Sequence, residues 1–194
     1  MIPAEYRALW NLALPHLGVR QNDEHTRYCV GFAERLAELT GARREIVLPA
    51  IILHDTGWST VPEEKILASF GPRTRYPELR RQHEVEGAAI ARRVLAGLGY
   101  PEDDINLIAT IIDGHDTRVE SLSTEDAVVK DADKLWRYTV FGFETIRDWF
   151  DHSVAEQLVF LDDRSKTRLF TEPARHMAIG LLTALHAEHS APGK

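Results

Sequence analysis

His54 and Asp55 close an apolar run, Ile46-Val47-Leu48-Pro49-Ala50-Ile51-Ile52-Leu53. A carboxylate beside an imidazole at the end of such a run must pair, change protonation or bind a metal, because burying an unpartnered charge is costly. Other histidines and aspartates recur at helix-sized intervals: His25, His83, His115, Asp131 and Asp133. Drawn to one point by several helices, these groups would make a metal centre. Neutral imidazoles with carboxylates and no thiolate suit Fe, Mn, Co, Ni or Zn better than Ca. Such ions lower the pKa of bound water and polarise phosphoryl oxygens, which is the chemistry of hydrolysis near neutral pH. Two ions bridged by one Asp would clamp the attacking and leaving oxygens together.

Helices must carry these groups, since no stretch shows the alternation of a strand. The spacing predicts a first helix from Pro3 to about Leu17. Asn22 or Asp23 can cap a second, which runs through Leu39 and ends at Gly41. Its stripe His25, Cys29, Phe32, Leu36, Leu39 aims His25 where the apolar face points. A third helix covers about Arg43 to Asp55, with Pro49 inside it, so it either starts later or bends there. Pro62 opens a short helix to about Phe70, and the segment Gly71 to Pro77 (GPRTRYP) is a loop. A strong helix follows from about Glu78 to Leu98, with His83, Gly87, Ile90, Ala91 and Val94 on one face. Pro101 starts the next, where Ile108, Ile111, Ile112 and His115 repeat the stripe. Thr124 can cap the helix that holds Asp131 and Asp133, and helical stretches continue to about His189. The expected fold class is all-α: one compact helical bundle over 1–194, with the metal-site motifs within 23–135 and C-terminal helices in 136–190 packed on it.

A lone histidine on an apolar face is more often a satisfied core residue than a ligand. Four of them on four stripes would need many separate hydrogen-bond partners, and shared ions satisfy them together. Helical phase does not separate Asp131 from Asp133 as the last carboxylate. Glu84 reads as a solvent-facing charge paired with Arg80 or Arg81, ahead of an acid/base role beside His83. Cys29 reads as a small buried hydrophobe. His16, His152, His176, His186 and His189 fit surface or helix-end positions. Trp136, Phe141, Phe143, Trp149 and Phe150 read as core or as contacts of a homo-oligomer.

The order His25, His54-Asp55, His83, His115 and then Lys130-Asp131-Ala132-Asp133-Lys134-Leu135 resembles the HD-domain superfamily, named for its His-Asp doublet. The likeness runs from about Asp23 to Leu135 and includes Gly57 after the doublet. It implies a metal-dependent phosphohydrolase, with His54 and Asp55 at the catalytic centre. His25, His54, Asp55 and a final aspartate would hold the first ion. Asp133 suits that last place, because the family's aspartate follows a small or apolar residue and precedes a basic one; Asp131 is the competitor. His83 and His115 resemble the extra pair of dinuclear members, with Asp55 as the bridge, whereas in mononuclear members such positions touch phosphate. The resemblance favours two ions over one. Many members carry Lys after the His-Asp-x-Gly turn, and here Trp58 stands there. Candidate substrate-binding substitutes are Lys134, Arg73 and Arg75, with Lys65, Arg80 and Arg81 behind them; Arg73 and Arg75 lie on the GPRTRYP loop, where each alone reads more readily as a solvated surface residue.

Composition bounds the rest. The 194 residues carry a net charge of -7, which disfavours a nucleic-acid duplex as partner but leaves a small phosphorylated substrate open. The apolar stretches are too short for a membrane span, and the N-terminus lacks a signal-peptide pattern. A single cysteine fits a reducing cytoplasm. Two rival readings remain at this stage: a di-iron oxygenase with the same His/Asp set, and a non-catalytic nucleotide-binding or regulatory module.

Overall fold

The computed structural model describes residues 1–71 and 74–190; Arg73 lies outside the described residues. Among these, every regular element is helical: α1 (Arg7–Ala13), α2 (Asn22–Thr40), α3 (Arg44–Leu53), α4 (Glu63–Ile66), α5 (Pro77–Gly97), α6 (Glu102–Ile112), α7 (Thr124–Leu135), α8 (Val140–Phe150), α9 (Val154–Thr167) and α10 (Glu172–Ser190). Short 3-10 turns join or extend several of them, notably Thr56–Thr60 directly after the doublet. The fold is all-α, as the sequence predicts.

α3 is the axis of the bundle. Ile46 to Leu53 are all buried, so this helix is apolar on every side and must be surrounded. α2 and α7 pack on it and on each other, and α6 and α5 close another side. α5 also packs on the Thr56–Thr60 turn. α10 lies against α9 and reaches α7 and α2. Pro49 neither delays nor ends α3, which starts at Arg44. The carbonyl deprived of its donor is that of Glu45, an exposed residue in the first turn, where water can replace the missing bond.

Several helix ends differ from the expectation. Gln21, not Asn22 or Asp23, precedes α2, in a left-handed conformation and without a side-chain cap. Ser123 caps α7 by accepting from the Asp126 backbone N–H, so Thr124 is the first helical residue. The buried line of α2 runs through Cys29, Val30, Ala33, Leu36 and Ala37, while Leu39 is exposed. α6 ends at Ile112, so His115 lies on the turn beyond it rather than on its stripe. Gly114 makes that turn at φ +117°, a conformation that favours glycine.

Candidate metal centre

Six of the sequence-selected side chains meet in the middle of the bundle, all of them buried: His25, His54, Asp55, His83, His115 and Asp133. Nε2 of His25 lies 3.1 Å from Nε2 of His54. Asp55 Oδ2 is 3.5 Å from the first nitrogen and 3.6 Å from the second. Asp133 Oδ1 is 3.5 and 3.7 Å from the same two. The other oxygen of Asp55 faces a second group: Oδ1 is 3.8 Å from His83 Nε2 and 3.7 Å from His115 Nε2, which are 3.5 Å apart. One carboxylate therefore serves two clusters.

Local structure explains the delivery. His25 comes from the first turns of α2, His54 caps the C-terminus of α3, and Asp55 sits at the entry to the 3-10 turn. That turn must press against α5 to bring Asp55 to His83. Gly57 permits it: a Cβ there would stand 1.9 Å from the His83 carbonyl oxygen and 2.6 Å from the Gly87 nitrogen. The requirement is steric, and it accounts for the glycine two residues after Asp55. Lys130, fully buried on α7, fixes the turn that carries His115 by donating to the carbonyls of Gly114 (3.0 Å) and Arg118 (2.6 Å).

Hydrogen bonds to backbone carbonyls fix the orientation of two of the rings. His54 Nδ1 donates to the Ile51 carbonyl at 2.7 Å, and His115 Nδ1 donates to the Ile112 carbonyl at 2.9 Å. A carbonyl only accepts, so each Nδ1 carries a proton and each Nε2 is the ring atom left to face the cluster. Nε2 of His25 and His83, on rings that burial keeps neutral, faces other ring nitrogens and carboxylate oxygens, so acceptors crowd against acceptors. A cation between them turns that repulsion into coordination. Donors around an ion with bonds of ~2.1 Å stand about 3.0–3.4 Å apart. The observed 3.1–3.8 Å matches after small adjustments. The donor set thus fits the divalent transition metal expected from the sequence.

The electrostatics divide the rings, and a proton on His115 Nε2, which a bound ion would displace, relieves the two carboxylates. Burial pulls the imidazolium forms of His25 and His83 down, to about 4 each. For His115 burial also works against charge, but the Asp55 hydrogen bond and the charges of Asp55, Asp116 and Asp133 win, pushing it up to about 9. Burial would raise Asp55, yet His54, His115, His25 and His83 hold it well below the usual carboxylate range. Burial would likewise raise Asp133, and Arg137, His54 and His25 hold it down. Cys29 lies 3.5 Å from His25 Nε2, and burial keeps its thiol protonated.

Asp131 lies outside both clusters. Its carboxylate accepts from the backbone N–H groups of Phe170 and Thr171 and from the Thr171 hydroxyl, each at 2.8 Å, just ahead of α10. Glu84 departs from the expected solvent-facing charge: it is buried, and besides Arg81 it accepts from Asp116 N, Thr117 N and Thr117 Oγ1. It pins the chain just past His115.

The basic candidates are scattered. Arg75 and Lys65 are exposed. Arg80 is bidentate to the Asp116 carboxylate, and Arg81 bonds Glu84 and Asp113. Lys134 donates to the Lys130 carbonyl at 2.8 Å, with its ammonium pulled down to about 8 by burial. Trp58, standing where a lysine was expected, stacks on His83 at 3.9 Å and donates from Nε1 to Asp55 Oδ1 at 3.1 Å. Trp136 packs edge-on against His25, and with buried Phe143 it belongs to the core. Sequence reasoning missed Lys130 and Arg20. Lys130 looks like any basic helix residue, and Arg20 precedes α2 with no periodic signal.

The family model of the HD domain matches residues 22–137, more than half of the chain. The chain therefore belongs to the HD-domain family. A search of curated sequences found no match. Among solved structures, the fold is similar to a crystal structure described as a predicted HD superfamily hydrolase from an uncultured Thermotogales bacterium. That likeness has a TM-score of 0.65 at 17% identity, covering 94% of this chain and 88% of the other. At that identity it speaks for the fold alone.

Proposed function

We propose that this protein is a metal-dependent phosphohydrolase acting on a nucleotide or another small phosphate ester. The observation that carries the reading is the division of Asp55, with Oδ2 turned to His25 and His54 and Oδ1 to His83 and His115. His25, His54, Asp55 and Asp133 would hold one divalent ion, and Asp55, His83 and His115 a second. When bound, such ions supply Lewis acidity, lowering the pKa of water and drawing charge from phosphoryl oxygens. The chain's part is to hold six donors in place. Backbone carbonyls lock the rings of His54 and His115, Trp58 holds Asp55 by its Nε1, and the buried walls restrict water.

The test is hydrolysis of a panel of nucleoside monophosphates and p-nitrophenyl phosphate by protein reconstituted with Mn, Co, Fe, Ni or Zn. Metal-dependent phosphate release, lost in a folded Asp55→Ala protein, is the expected result. Full activity in that variant would overturn the reading. A protein that holds two irons, leaves phosphate esters intact and consumes oxygen would place the donor set in oxygenase chemistry instead.

A further inference from the structure

A cation is missing from its expected place, and the space around Trp58 shows another one nearby. The guanidinium of Arg20 sits among three aromatic rings, 5.0 Å from the centroid of Trp58, 4.8 Å from Phe70 and 5.0 Å from Trp149. Its Nε is shielded from water and has no hydrogen-bond partner among the described residues. Trp58 joins this cage to the metal centre, since the same indole stacks on His83 and donates to Asp55. The backbone of Arg20 is held at φ +52°, in the sparsely populated left-handed region, and Gln21 follows at φ +58°. Two successive non-glycine residues thus stand in that region just before α2, and the Arg20 side chain ends among the three rings.

A guanidinium stacked on aromatic faces keeps its in-plane N–H groups available for an oxyanion. Arg20 lies near enough to Asp55, Asp116 and Asp133 for their charges to favour its cationic form, while burial lowers its pKa to about 10, so it stays charged at neutral pH. Asp116 is already matched by Arg80. Asp55 and Asp133 face the histidine clusters. The guanidinium thus has a caged position, a fixed direction and an unbonded donor.

We propose that Arg20 is the anion clamp of this site, binding the phosphoryl oxygens of a phosphate ester beside Asp55 and standing in for the lysine that Trp58 replaces. Arg20 reaches the site from the segment before α2, and Trp58 holds it there. The inference rests on the phosphohydrolase reading for the identity of the anion.

Binding of inorganic phosphate tests it apart from turnover. Calorimetric titration would be run on manganese-reconstituted wild type, Arg20→Met and Arg20→Lys, with metal content and melting temperature measured for each. Methionine keeps an aliphatic chain between the rings and removes the charge. The expected result is unchanged metal content and phosphate binding weakened about 10- to 100-fold in Arg20→Met. Lysine, which keeps the charge but not the planar fork, should lose roughly 3- to 10-fold. Equal phosphate affinity in wild type and Arg20→Met, with only a lower melting temperature, would overturn the proposal and leave Arg20 a packing residue. Wild-type protein that holds its metal but binds no phosphate would overturn it too. Wild-type protein that takes up no ion would instead strike the broader reading. Should Arg20→Met not fold, the Arg20 Nε–H resonance of the wild type, identified by its loss in Arg20→Lys, gives the answer. It should shift on phosphate addition, and a resonance that does not move overturns the clamp.

Discussion

Asp55 faces one histidine pair with each oxygen, so its removal should act on both clusters at once. Metal analysis of folded Asp55→Ala is expected to show less than one ion per chain, whereas His115→Ala should keep about one, on His25, His54, Asp55 and Asp133. Loss of all metal from His115→Ala would sink the division into two groups. Asp131 and Asp133 make a second contrast. They are two residues apart, roughly 200° around the helix, so they serve opposite sides of α7. α7 is buried without a break from Asp126 to Asp133, so both sides of the helix face protein and the sequence alone leaves the choice open. What separates them is tertiary, since the Phe170–Thr171 backbone arrives beside Asp131 from about forty residues away. Asp131→Ala should leave the metal content unchanged and destabilise the protein by about 1.5–3 kcal/mol, the usual loss for hydrogen bonds to a charged group. Urea unfolding with parallel metal analysis measures both. A variant that loses metal while its stability is preserved would return Asp131 to the ligand set.

Among the elements, periodicity located most helices because each buries one stripe, and α3 stands out because it buries every side. Three features escaped that signal for physical reasons. Pro49 suggested a later start or a bend, but the bond it removes belongs to an exposed first-turn carbonyl and α3 starts at Arg44. His115 continued the stripe of α6 in register, yet Gly114 turns the chain before it and delivers it from a loop. Lys130 carries no periodic signal of a role, but it is buried and bonds two carbonyls of the loop after α6. The turn carrying His115 is therefore held from below by α7 rather than by its own helix. Replacing Lys130 by Met leaves those two carbonyls without a donor. The expected cost is about 1–3 kcal/mol, and of the two ions proposed above, the one assigned to His83 and His115 should be lost before the other. Thermal melting and metal titration check this. Equal weakening of both ions would show that Lys130 supports the bundle generally and not this turn.

Across the whole molecule, the cluster gathers groups from α2, the end of α3, α5, the turn after α6, and α7. These segments span the chain from residue 25 to residue 133, so any ion bound there ties together distant parts of the fold. Without one, two carboxylates and the lone pairs of the neutral rings crowd a buried space, relieved only in part by the proton on His115, and the bundle must bear the remaining repulsion. Unfolding separates the groups and lets water satisfy them. Ion binding should therefore stabilise the native state alone, by RT ln(1 + [L]/Kd), which is about 2.7 kcal/mol when the free ion is a hundred times its Kd. For a chain of this size each kcal/mol moves the melting temperature by about 2–4 °C, so chelation should lower it by roughly 5–10 °C per ion removed. Adding the ion back should restore it, and Asp55→Ala should respond to chelator less than His115→Ala does, in proportion to the metal it retains. His115→Ala should show about half of the wild-type response. Calorimetric scans of chelated and reconstituted protein decide the matter: metal loss without any change in melting would mean that the six donors are packed well enough without a cation, and the argument from their mutual repulsion would fail.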